Sequence, residues 1–174
     1  TGTGNVVLQT SPTLITPNLG AATATSLAFS PTTNGIIGTN TNNNATAGVV
    51  GEILQSIILS GGAVPLPNSV ATNITSIALT AGDWDVWGNI FANFSSPLNS
   101  TTVGWISQTS ATLPNQAFYS GFAYANNVFI NVGFPIPQLR FSLAGPTTIF
   151  LSMQVAFSAG VASGMGAIYA RRRR

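Results

Sequence analysis

Charge is nearly absent from this chain. Only 5% of its 174 residues are charged, against about a quarter in an ordinary soluble domain. The first fifty residues carry none. TGTGNVVLQTSPTLITPNLGAATATSLAFSPTTNGIIGTN runs on Thr, Asn, Ser, Gly, Pro, Ala and aliphatics. The acids are Glu52, Asp83 and Asp85, and lysine does not occur. Four of the five arginines form the run Arg171–Arg174, so the net charge of +2 is a property of that tail. Nucleic-acid binding needs basic side chains spread over a face, and Arg140 is the only one before the tail. No nucleic-acid partner is expected. Cysteine is absent, which excludes disulfides and thiolate chemistry. Histidine is absent too, which removes the usual general base and the commonest metal ligand. Serine catalysis finds neither a His nor a Lys. No apolar run is long enough for a helix to cross a bilayer. No cofactor, metal or membrane insertion is expected, and the chain reads as non-enzymatic.

What is present is extended chain. Residues 1–48 form one compositional block, broken by Pro12, Pro17 and Pro31, each of which removes a backbone donor and favours extended geometry. SPT recurs at Ser11–Thr13 and Ser30–Thr32. A disordered linker is the alternative reading of the block, and the apolar clusters Val6–Leu8, Leu14–Ile15 and Ile36–Ile37 stand against it. The block predicts a fibrous stem whose backbone pairs with copies of itself. It starts within a repetitive stretch, which reads as part of a longer protein. NTNNNATA at Asn40–Ala47 marks the boundary, and residues 49–174 form the second domain.

From Gly51 onward short β-branched and aromatic runs follow one another, separated by Gly, Pro and Asn clusters. This pattern predicts an all-β head, a sandwich of jelly-roll type. Alternation assigns the faces. Over Asp83–Phe94 the core face is Trp84, Val86, Gly88, Ile90, Ala92 and Phe94. Over Thr148–Ala159 it is Ile149, Leu151, Met153, Val155 and Phe157. The opposite faces are almost uncharged, although Lys and Glu normally guard exposed strands against pairing. Burial between subunits explains that lack. Trp87, Phe91 and Phe150, with Arg171 and Arg172 of the tail, are the candidate subunit-interface residues. A locally bent strand that buries Trp87 and Phe91 within one subunit is the alternative.

Two chemistries compete for the remaining polar residues. Asp83 and Asp85 lie on one strand face roughly 6–7 Å apart, a spacing compatible with a glycosidase pair. AGDWD also reads as a turn whose acids accept backbone hydrogen bonds or pair with Arg140 or the tail arginines. Sugar binding uses aromatic faces with amides and hydroxyls. Trp105, Asn115, Gln116, Tyr119, Tyr124 and Asn126, in and beside AFYSGFAYANN, are the candidate ligand-binding residues. The same aromatics also suit a plug at the end of the sandwich. The tail reads as a continuation of the last strand whose arginines pair with the few acids, as a solvated end, or as a binder of anionic surface groups.

TGTGNVVLQTSPTLITPNLG resembles a segment that recurs in tail fibre and other appendage proteins of tailed bacteriophages. GEILQSIILSGGAV, TSIALTAGDWDVWGNI, ISQTSATLP and GAIYARRRR resemble their terminal domain. The likeness touches both blocks. It implies an intertwined homotrimer on the virion surface, joined to other virion structural proteins. Its knob would attach to a bacterial surface glycan or protein. A capsid-decorating fibre without a receptor, and a fragment of a polysaccharide depolymerase, are the alternatives. Trp87 stands where the family often has a small residue.

Overall fold

A computed structural model describes residues 41–96, 99–115, 118–123 and 131–174, with only the backbone of Asn99 and Ser100. The expected stem lies almost wholly outside the described residues. The head unit is Asn42–Arg174. Residues at the expected end of the stem are tied into it. The Asn44 side chain donates to the Ile53 carbonyl at 2.7 Å and accepts from the Ile53 amide at 2.9 Å.

Among the described residues nine strands follow in chain order: β1 Ile53–Ile58, β2 Val64–Leu66, β3 Thr72–Leu79, β4 Gly82–Phe94, β5 Asn99–Ser107, β6 Tyr119–Ala123, β7 Asn131–Leu143, β8 Thr147–Phe157 and β9 Ala162–Arg172. One sheet runs β1-β9-β4-β7, with β2 beside β1 on β9, and the other runs β3-β8-β5-β6. All pairings are antiparallel. The strand order in the two sheets is that of a jelly roll, the fold class that the sequence predicts.

The core lies between the sheets. The face assigned to β4 is buried throughout, from Trp84 to Phe94. On β8, Ile149, Leu151, Met153 and Val155 are buried and Phe157 packs against the cluster at its rim. Glycines let the sheets approach. A Cβ on Gly104 would lie 2.0 Å from Ile90 Cδ1.

Three elements depart from the sequence reading. Pro65–Pro67, one of the Pro clusters read as separating strands, overlaps a strand: Val64–Leu66 pairs with Ala162–Gly164 as β2. The segment expected to bind ligand contributes the edge strand β6. The runs before and after Pro135–Pro137 are one continuous strand, β7. β7 is an edge strand, where a missing ladder donor is tolerated. Its pairing with β4 also shifts register between Val86 and Gly88. That bulge sets Pro137 and Gln138 opposite Trp87, and both are exposed.

Candidate functional site

Residues paired across an antiparallel ladder point to the same face. The outer face of β1-β9-β4-β7 can therefore be read row by row. The first row is Ile53, Arg171, Asp85 and Arg140. The second is Gln55, Tyr169 and Trp87, with Gln138 at the bulge. The third is Ile57, Ala167, Asn89 and Pro135. The fourth is Met165, Phe91 and Gly133. One face thus grades from charged, through an aromatic and amide belt, to apolar.

At the charged end the tail is built into the fold. Arg172 continues β9 and turns inward beside Trp84, its guanidinium carbon 4.2 Å from the ring centroid. Its Nε donates to Glu52 Oε2 at 2.9 Å, its Nη1 to the Ala81 carbonyl at 3.0 Å and its Nη2 to Thr80 Oγ1. Both partners of the Arg172–Glu52 pair are buried. The turn beneath needs glycine: Gly82 has φ +135°, and a Cβ there would lie 2.3 Å from Arg172 Nη1.

Asp83 accepts a bidentate pair from Arg140, Nε at 2.8 Å and Nη2 at 2.7 Å, and Arg174 Nε lies 3.0 Å from it. Asp85 faces Arg173 Nη1 at 3.5 Å. The hydrogen bonds from Arg140 hold the Asp83 carboxyl below the usual range; burial opposes this, and the nearby arginine charges assist. Asp83 in turn raises Arg140. Burial pushes Glu52 upward, but the Gly48 amide and Arg172 outweigh it and leave the group lowered. Every acid of the chain is thus engaged by an arginine. Among the described residues, Arg171 is the arginine without an ion pair.

In the belt, the Trp87 and Tyr169 rings stack with centroids 5.8 Å apart and planes 17° off parallel. Trp87, Asp85, Gln138 and Arg171 line a shallow depression of about 340 Å³. At the apolar end Ile57, Leu59, Phe91, Phe134 and Met165 line an open groove of about 790 Å³. Ile57 is 45% exposed, Leu59 72% and Phe91 37%.

Of the described candidate ligand-binding residues, Trp105 and Tyr119 pair across β5 and β6. Trp105 is 0% exposed, which corrects its assignment to a ligand surface. It points away from the main core, in a row with Ser152 and Tyr119. The β5–β6 connection is anchored on that side, because Asn73 donates to Ser110 Oγ and accepts from the Ala111 amide. Tyr119 is half-buried beside Phe118 and Pro137. Asn115 is exposed, and its carbonyl accepts the Phe118 amide at 2.9 Å. Phe122 meets Phe134 edge-on with ring centroids 5.2 Å apart, yet is itself exposed. Gln116, Tyr124 and Asn126 lie outside the described residues.

Of the candidate interface residues, Trp87, Phe91 and Arg171 share the graded face. Phe150 is half-buried on the outer face of the opposite sheet, in register with Ser76 and Ser107. Arg172 is corrected: its side chain is buried within its own chain against Glu52 and Trp84. Sequence reasoning passed over Tyr169 and Gln138. Alternation along GMGAIYARR does place Tyr169 beside Arg171, but the bulge that exposes Gln138 leaves no local signal.

No family model matches the chain, and no curated protein sequence matches it. Similar solved structures include the VP2 subviral particle of infectious bursal disease virus, at 16% identity and TM-score 0.37 over 70% of this chain and 30% of that one. The structure of the Gx strain of that virus gives 13% and 0.40 over 68% and 31%. The Gt strain gives 15% and 0.39 over 70% and 30%. The chain thus spans under a third of the chains it resembles.

Proposed function

We propose that this chain is a non-enzymatic structural protein of a virus particle. In this reading it is the distal stem and head of a bacteriophage fibre, exposed on the virion surface. It assembles as a homotrimer, joins other virion proteins, and attaches to a bacterial surface. The observation that carries the reading is the apolar end of the graded face, where Ile57, Leu59 and Phe91 are exposed with no charged residue in their rows. Such a face on a chain with so little charge favours contact with sister copies over contact with water. The fold and the phage-like motifs agree with this reading, since jelly rolls recur in viral coats and lectins.

The acids do not favour hydrolysis. A glycosidase needs one carboxyl free to donate its proton near neutral pH, whereas Asp83 and Glu52 are held low by arginines. Incubation with bacterial capsule should release no oligosaccharide; release would replace this reading with a depolymerase. Native mass spectrometry of the full chain should give a trimer. A lone chain at micromolar concentration would overturn the assembly. Purified protein should compete with phage adsorption. A trimer that never competes would leave the decorating fibre.

A further inference from the structure

We infer that the belt beside the charged end binds a carboxylated sugar, a uronic-acid residue of an acidic polysaccharide. This rests on the attachment reading above and gives that attachment a ligand class and a place. All charged residues of the chain gather at this end, since Glu52, Asp83, Asp85, Arg140 and Arg171–Arg174 connect through adjoining rows and ion pairs. The net charge of +2 is therefore concentrated at one pole of the head, and an otherwise uncharged molecule focuses its field there.

Arg171 identifies the kind of partner. It is exposed and forms no ion pair among the described residues. A sister copy has no spare acid for it, because Glu52, Asp83 and Asp85 are each held by another arginine. Packing this guanidinium against another copy would strip its water without supplying an anion. The anion that suits it is foreign, and its planar fork matches a carboxylate.

The neighbours indicate a sugar. Trp87 and Tyr169 offer stacked aromatic surface to the apolar face of a pyranose. Gln138 brings an amide. Asp85 only accepts hydrogen bonds, so it calls for hydroxyl donors. A DNA backbone brings phosphates there without the hydroxyl donors that Asp85 calls for. The depression of about 340 Å³ holds one such residue.

The test titrates the full chain with trigalacturonic acid, neutral maltotriose and oligothymidylate, followed by tryptophan fluorescence and calorimetry. Trigalacturonic acid should bind at least tenfold more tightly than maltotriose and weaken with salt. Arg171→Gln and Trp87→Ala should each weaken it at least tenfold, while Thr148→Ala, exposed on the other sheet, leaves it unchanged. Should Trp87→Ala melt early, Arg171→Lys decides: it keeps the charge, loses the fork, and should bind severalfold more weakly than the parent. Equal binding of maltotriose, tighter binding of oligothymidylate, or full binding by Arg171→Gln overturns the proposal. Native mass on the same samples separates the two readings. A trimer that ignores trigalacturonic acid sinks this inference alone. A monomer that binds it sinks the assembly and leaves the site.

Discussion

Single residues carry the electrostatics of this head. The Arg172–Glu52 pair is buried on both sides, so removing one partner leaves an uncompensated charge. Glu52→Gln should cost about 3 kcal/mol, toward the low end for breaking such a pair because the amide still accepts a hydrogen bond. Urea unfolding measures it, and a loss under about 1 kcal/mol would mean that water screens the pair. The lowered carboxyls also set the response to acid. The ordinary values are 4.5 for Glu52 and 3.8 for Asp83, and both are lower in the folded chain. As pH falls, the unfolded chain takes up these protons first. The stabilisation is therefore complete above the ordinary values and is lost as pH drops through the folded ones. The melting temperature should be flat at about pH 6 and fall steadily below about pH 4. A flat profile down to about pH 2 would show that the arginines do not lower these groups.

Elements show what sequence can and cannot reveal. The faces of β4 and β8 were legible because Trp84 to Phe94 and Ile149 to Val155 alternate without a break, and one side had to be dry. The pairing of acids with the tail was legible because so few partners exist. The run of β7 through Pro135 and Pro137 was hidden, since proline marks a turn unless the strand happens to be an edge, and edge position is a property of the whole sheet. Trp105 was misread for a similar reason: its row partners Ser152 and Tyr119 come from a sheet order that the local sequence does not reveal. Close strand packing yields a further test. A Cβ on Gly88 would lie 2.6 Å from the Ala167 carbonyl oxygen, backbone that cannot yield without opening the β4–β9 ladder. Gly88→Ala should destabilise the head by about 1–3 kcal/mol. Gly145→Ala, with no atom within 4 Å of the added carbon, should stay within about 0.5 kcal/mol. Equal melting of the two variants would contradict this geometry.

At the scale of the whole molecule, one sheet face divides into a charged pole, a belt and an apolar end. Phe91→Asp should lower the native mass toward the single chain, with some loss of stability because Phe91 is only 37% exposed within one chain. An unchanged mass would place the subunit contact elsewhere. The sheet order has a consequence for synthesis. β9 is the last strand in chain order, yet it lies between β1 and β4. A ribosome adding roughly 5–20 residues per second leaves those two strands apart, each with an open edge, until residue 172 emerges. A prematurely stopped chain cannot close the sheet or cap Glu52. Message truncation should therefore yield protein that aggregates or is degraded instead of a shortened folded head.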